Sequence, residues 1–402
     1  MRCFKYLVFV FNILILITGC SRNQTGLIDD TEFIVDDSAI LMLCKITGQE
    51  ANKKLMVQLK GNGDSLIEVI KVLEDMKQDA SIKNALGVSY LRLRRFQEAN
   101  SKFQEALRIA VSDEEKMCIL SNMAEVMLYQ ENRDTAKYYV EEALKLEVDD
   151  QVKKLVLQSN LTAIELPFKT DFIQEIGNIK ELIKKERKIL GSNQFIGIFN
   201  YKTLSWACYY AGNMKKCEYY IYKACKLNDK LYQYIPVEAN LYKTLSFMYE
   251  PDYNLNKAYD YVNKAIDLLE IWQVQDHYDL LNLYELRGNI YLNLGWAKLD
   301  LAINDYEHVL EQCLPYHDLV AVSYYNLGNA YGYLGDTDMI IESYARAYYI
   351  WNLEGYENSN QKIEEALRRI YEKQDDKDDD YESWFQTQII QGKEDLNKLW
   401  KE

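Results

Sequence analysis

The heptapeptide Asn84-Ala85-Leu86-Gly87-Val88-Ser89-Tyr90 returns near the other end of the chain as Tyr325-Asn326-Leu327-Gly328-Asn329-Ala330-Tyr331. The first copy is followed by Ala99, Phe103 and Ala106, the second by Tyr344 and Ala347. Spacings of three, four and seven residues put each following set on one face of a helix. Self-similarity of this kind marks a stacked array in which no unit buries its apolar face alone. Composition agrees. Four prolines and 17 glycines in 402 residues are too few turn formers for an all-β fold, and a hydrophobic content of 48% supports a continuous core.

Both copies resemble the consensus of the tetratricopeptide repeat (TPR) family. That family pairs two antiparallel helices through a small residue at the eighth position of the unit, in its first helix, and small residues at the twentieth and twenty-seventh, in its second. Small side chains let two helix backbones approach closely. Six units align on that rule. The eighth position reads Gly87, Ala124, Ser205, Ser246, Gly288 and Gly328. The twentieth reads Ala99, Ala136, Cys217, Ala258, Ala302 and Ile340, with an insertion around Trp296 before Ala302 and with Ile340 as the exception. The twenty-fourth reads Phe103, Val140, Ile221, Val262, Tyr306 and Tyr344, and the twenty-seventh Ala106, Ala143, Ala224, Ala265, Val309 and Ala347. The resemblance implies an all-α, TPR-type superhelical solenoid of about seven to eight antiparallel helix pairs.

Successive eighth positions lie 37, 81, 41, 42 and 40 residues apart. The gap of 81 holds two periods, so a seventh, degenerate unit is expected there. Its helices should run from about residue 150 to 166, stopped by Pro167, and from about 171 to 190, stopped by Gly191. Pro236, Pro251 and Pro315 also fall between expected helices. A period near 40 exceeds the roughly 34 residues of the standard repeat and approaches the about 40–47 of HEAT and armadillo arrays, but the small-residue pairing favours TPR. Residues 37–375 read as the array, opening with an irregular helical pair. Residues 376–402 read as an acidic hinge followed by an amphipathic helix with Tyr381, Trp384, Phe385, Ile389, Leu396, Leu399 and Trp400 on one side. That helix has three possible destinations: a cap on the last repeat, a membrane surface, or the groove of the array.

At the N-terminus, Arg2 and Lys5 precede an apolar run from Tyr6 to Ile17, long enough for a signal-peptide core and short of the roughly 20 residues of a spanning helix. The run ends Ile17-Thr18-Gly19-Cys20, which resembles the lipobox of bacterial lipoproteins. That resemblance implies loss of residues 1–19, acylation of Cys20 and attachment to a lipid bilayer. Ser21 in place of an aspartate implies sorting to the outer membrane of the cell envelope. Residues 20–36 are polar and aperiodic, as a flexible tether would be.

Charge and side-chain inventory exclude several classes. The formal net charge is −15, and −17 once Arg2 and Lys5 leave, so no nucleic acid partner is expected. The densest basic run, Lys184-Lys185-Glu186-Arg187-Lys188, falls at a helix end, where cations complement the helix dipole. Beyond Cys3 and Cys20 the cysteines are Cys44, Cys118, Cys208, Cys217, Cys225 and Cys313. An oxidising compartment permits disulfides among them. Cys208 and Cys217, on facing packing positions, also read as small buried apolar residues. No Cys-x-x-Cys motif appears, and His277, His308 and His317 read as surface residues without metal or catalytic spacing, so no enzyme activity, cofactor or metal is expected.

In the TPR family the concave surface is lined by the second, fifth, ninth, twelfth and thirteenth positions of each first helix. Here these include Lys202, Trp206, Tyr209 and Tyr210, then Lys243 and Phe247, then Glu285 and Asn289, then Tyr325, Asn329 and Tyr333. Trp206, Tyr210 and Phe247 are expected as one exposed anchor patch, because rigid amphipathic rings lose little entropy on binding. The alternative is that such rings fill space between long helices. Two functions fit: a membrane-anchored scaffold or adaptor that binds protein or peptide partners in the bacterial cell envelope, or an outer-membrane glycan-binding lipoprotein of a nutrient-uptake system. The absence of long non-helical insertions favours the adaptor.

Overall fold

A computed structural model describes residues 63–130, 132–191, 196–231, 235–250, 254–271, 278–313, 317–374 and 380–399. The leader with Cys20, the tether, most of the irregular first pair with Cys44, and Pro251, His277, Pro315, Trp400 and most of the acidic hinge lie outside the described residues.

Seventeen α-helices and no strand occur among the described residues. After α1 (Gly63–Glu74) come seven antiparallel pairs. They are α2 (Ala80–Arg92) with α3 (Phe96–Ile109), α4 (Asp113–Tyr129) with α5 (Arg133–Lys145), α6 (Gln151–Glu165) with α7 (Phe172–Leu190), α8 (Ile196–Tyr210) with α9 (Met214–Leu231), α10 (Ile235–Tyr249) with α11 (Leu255–Ile271), α12 (Tyr278–Leu294) with α13 (Leu299–Gln312), and α14 (His317–Leu334) with α15 (Thr337–Glu354). Two further helices, α16 (Glu357–Glu372) and α17 (Tyr381–Leu399), close the chain.

Local chemistry sets these boundaries. Ser112 and Glu115 form a reciprocal capping box at the start of α4. Asp79, Asp171 and Asp336 each accept a backbone N–H three residues on, at 2.9, 3.0 and 3.2 Å. The degenerate unit forms as expected: α6 gives way to a 3-10 turn that contains Pro167, and α7 runs from the Asp171 cap to Gly191 at φ +90°. The insertion before Ala302 is a 3-10 turn, Trp296–Lys298, which carries Trp296 outward.

The aligned small positions form the seam of each pair. All six twenty-seventh positions are fully buried, and so are the twentieth positions apart from the exceptional Ile340. Serine at the eighth position adds a hydrogen bond to the facing backbone. Ser205 Oγ donates to the Cys217 carbonyl at 3.1 Å, and Ser246 Oγ to that of Ala258 at 2.7 Å. Cys118 is buried, Cys208, Cys217, Cys225 and Cys313 are buried free thiols, and burial pushes Cys217 and Cys225 up to about 12.

Successive first helices touch each other, α2 to α4, α6 to α8, α10 to α12 and α12 to α14, so they line the tighter inner side of the superhelix. The superhelix then closes on itself. Backbone N–H groups of Phe96 and Gln97, at the start of α3, donate to Glu354 Oε2 at the end of α15, at 2.7 and 3.4 Å. This closure buries α4 on all sides from Met117 to Tyr129.

The C-terminal helix caps the array. α17 passes α16 to lie on α15, burying Tyr381, Phe385 and Leu396, while Gly392 lets its backbone approach Ala345 and Arg346 closely. Of the three destinations open to it, the cap is the one the structure adopts.

Candidate functional site: the inner face

The fifth position of the first helices builds a polar ladder along the inner side. Each rung reaches the next first helix. Asn84 Oδ1 accepts from Asn122 Nδ2 at 3.0 Å, and Lys202 Nζ donates to Asn240 Oδ1 at 2.6 Å. Lys243 Nζ donates to Asn282 Oδ1, and Glu285 Oε1 accepts from Asn326 Nδ2 at 2.7 Å. All four rungs are buried. Burial, helped by the charge on Lys243, lowers the Lys202 ammonium to about 7; burial lowers Lys243 to about 8 and raises Glu285 to about 7.

The ladder is incomplete at Asn160 on α6. This side chain is wholly buried, and neither its Oδ1 nor its Nδ2 has a partner among the described residues. Where the other rungs meet asparagine, the next first helix offers Phe199 at its second position and Thr203 at its sixth, the latter already bonded to its own backbone. The indole Nε1 of Trp206, on that same helix, also lacks a partner among the described residues.

The expected groove residues divide into two kinds. Trp206, Tyr209 and Tyr210 come together, with ring centroids 5.6–6.1 Å apart, and Phe172 of α7 stacks on Tyr210 at 5.2 Å. They are not an exposed patch. Trp206 is 2% exposed and Phe247 8%, with Phe247 in a separate apolar cluster beside Ala258 and Val262; Tyr209 and Tyr210 are half-buried. Lys202 and Lys243 are buried as well. The physical cause is packing between neighbouring units: the rings of Trp206, Tyr209, Tyr210 and Phe172 cover one another, Phe247 joins a cluster with Ala258 and Leu283, and each lysine reaches the next first helix. Asn289 and Asn329 serve their own units: Oδ1 of each accepts the hydroxyl of Tyr306 or Tyr344 at 2.8 Å. Tyr325 stacks on Tyr344 and lies against Trp351, at 5.6 and 5.2 Å.

The closing seam is built from residues that sequence reasoning passed over. Arg94, in a left-handed conformation at φ +59°, places its guanidinium 4.2 Å from the Tyr129 ring and 4.0 Å from that of Tyr278. Its Nε lies 3.9 Å from Asp318, which also accepts the Tyr278 hydroxyl at 2.7 Å. Glu354 meets His317 Nδ1 at 2.6 Å, and Gln130 Nε2 donates to the Glu354 carbonyl at 2.9 Å. His317, expected at the surface, is therefore buried in the seam. Two signals for it stand in the sequence. Arg94-Arg95 occupies the α3 start, where a small oxygen-bearing cap is usual, and Glu354 ends α15, where its own helix dipole repels it.

No helix among the described residues is long and apolar enough to cross a membrane, and no group of three or more His, Cys, Asp or Glu could hold a metal ion. Residues 279–352 match the tetratricopeptide repeat family. No curated protein sequence matches the chain. Among solved structures, the chain is similar to a Rap protein complexed with competence and sporulation factor, at 13% identity and a TM-score of 0.52, over 86% of this chain and 96% of that one. It is also similar to yeast Tom70, at 14% identity and a TM-score of 0.50, over 83% of this chain and 70% of that one. At such identities the likeness is one of fold. The described helices form a tetratricopeptide-type solenoid, with residues 279–352 matching the repeat family itself and the rest sharing its architecture.

Proposed function

We propose that the protein is a non-catalytic scaffold, held on a bacterial envelope membrane by acylated Cys20, whose inner face receives a segment of a protein or peptide partner. The observation that carries the partner side is the wholly buried amide of Asn160 on α6, together with the indole N–H of Trp206 on the next first helix, neither of which has a hydrogen-bond partner among the described residues. One side-chain amide offers both a donor and an acceptor, which matches a peptide unit, and leaving such groups unsatisfied costs about 1–3 kcal/mol each. A bound segment would recover that cost. The Rap structure, complexed with competence and sporulation factor, supports the reading as a solenoid of similar architecture that holds another molecule.

A pull-down from bacterial membranes tests this. The unaltered chain should enrich a protein that Asn160→Leu and Trp206→Phe variants lose while their helicity is unchanged; equal capture by all three removes the inner face from the account. For the anchor, Cys20→Ser should move the protein from the detergent phase to the aqueous phase, and retention would show another attachment. One observation favours the glycan reading: Trp296 and Tyr333, 69% and 53% exposed, stand edge to face at 6.3 Å. Binding on a glycan array that is lost in Trp296→Ala would favour it over the scaffold.

A further inference from the structure

The acidic charge of this chain is segregated. Residues 180–230 carry eleven lysines and arginines against four carboxylates, a net of +7 within a total of −15, which leaves −22 for the remainder. One of the eleven, Lys202, faces inward. The other ten lie on α7 and α9, and all but half-buried Lys223 are exposed. Of the four carboxylates among them, Glu186 is buried and Glu218 bonds Lys257, Tyr249 and Tyr261 of the next pair, which leaves exposed Glu181, 3.4 Å from Lys184, and exposed Asp229 against the ten basic side chains.

These two helices form one surface. Phe172, at the start of α7, stacks on Tyr210 at the end of α8, four residues before α9 begins. Farther along, Arg187 of α7 and Lys223 of α9 both lie over the ring of Tyr201, at 6.0 and 5.7 Å. The two helices therefore run parallel and side by side. Among the lysines of α9 stand Tyr219 and Tyr222, half out of the protein, with Lys223 and Lys226 each 4.7 Å from one of the rings.

We propose that this outer face of α7 and α9 docks on a lipid bilayer that carries anionic, phosphate-bearing headgroups. Tyrosine rings sit at headgroup level, and lysines reach the phosphates while their stems cover apolar surface. Each lysine held near such a bilayer raises partitioning about fivefold. The acidic remainder does not cancel this, because salt screens it beyond a Debye length of about 8 Å. Instead, the segregation turns one face toward the membrane and leaves the others free.

The test uses the full chain on vesicles of phosphatidylcholine alone and of phosphatidylcholine mixed with phosphatidylglycerol, with lysine acetylation followed by mass spectrometry. Lys184, Lys185, Lys215 and Lys226 should react several-fold more slowly on the anionic vesicles. Lys145, on the outer side of α5, should react equally on both. High salt, or glutamate at the four positions, should abolish the protection. Equal labelling of the four lysines on both vesicles would overturn the proposal, as would protection by an acidic polypeptide and not by the anionic vesicles. Attachment to phosphatidylcholine alone reads the Cys20 anchor and the difference between vesicles reads the face, so either can fail without the other.

Discussion

A Cβ placed on Gly288 would lie 2.5 Å from Cε1 of Tyr306, so the tyrosine ring fills the volume that any larger residue at the eighth position would need. Gly87 meets Phe103, and Gly328 meets Tyr344, at the same 2.5 Å. Where the eighth position is alanine or serine, the facing residue is instead Val140, Ile221 or Val262. Volume is conserved across each seam even though neither position is constant.

This complementarity makes Gly288→Ala destabilising by about 1–3 kcal/mol through overpacking. In a Tyr306→Val background, which copies the Ala124–Val140 pair, the same substitution should cost less. Urea unfolding of the four-member cycle gives the coupling. Equal costs in both backgrounds would break the argument.

Glu354 joins the first repeat to the last, so Glu354→Ala should both destabilise and open the molecule. Loss of an acceptor for the Phe96 N–H and for His317 should cost about 1–3 kcal/mol. Small-angle scattering should show a larger radius of gyration. A variant as compact as the parent would mean that packing elsewhere holds the closure.

Lys202 gives a pH signature. Its ammonium falls from the ordinary 10.5 to about 7 in the folded chain. Between those values the unfolded chain holds the additional proton, so this lysine lowers stability near pH 7 and its penalty fades as pH rises. Replacing Lys202 with Met should therefore raise the melting temperature relative to the parent at pH 7, by more than it does at pH 10. A relative gain that grows with pH would contradict the assignment.

The tail is a cap, and among its described residues Phe385 is the most buried ring. Phe385→Ala should cost about 3–5 kcal/mol if α17 stays docked, and less if it detaches. Deleting residues 376–402 should expose α15 and promote aggregation. A truncated chain with unchanged melting temperature and solubility would show that α17 contributes nothing to the array.

Much of the fold was legible in the sequence because TPR pairing is a local rule. Ala106 and Ala265 are wholly buried where the alignment puts them, and α6 and α7 fall within a residue or two of the expected limits despite a degenerate unit. The inner face was legible only in part. Trp206 is covered within the ring cluster that Phe172 of the preceding unit completes, and Phe247 packs with Ala258 and with Leu283 of the next unit, contacts between units that no single repeat encodes. Asn289 and Asn329 were readable in principle, since asparagine at the ninth position accompanies tyrosine at the twenty-fourth, whereas Val88 accompanies Phe103. That pairing marks an internal hydrogen bond and no ligand contact.

Site-specific photocrosslinking in bacterial membranes tests the central claim most directly. A photoreactive phenylalanine derivative at Tyr209, half-buried on the inner face, is compared with one at Tyr138, 55% exposed on the outer helix α5. The account predicts a discrete protein adduct from position 209 that is absent from position 138 and weakened by Asn160→Leu. Adducts from position 138 alone would place the partner on the outer surface and contradict the claim that the inner face receives it.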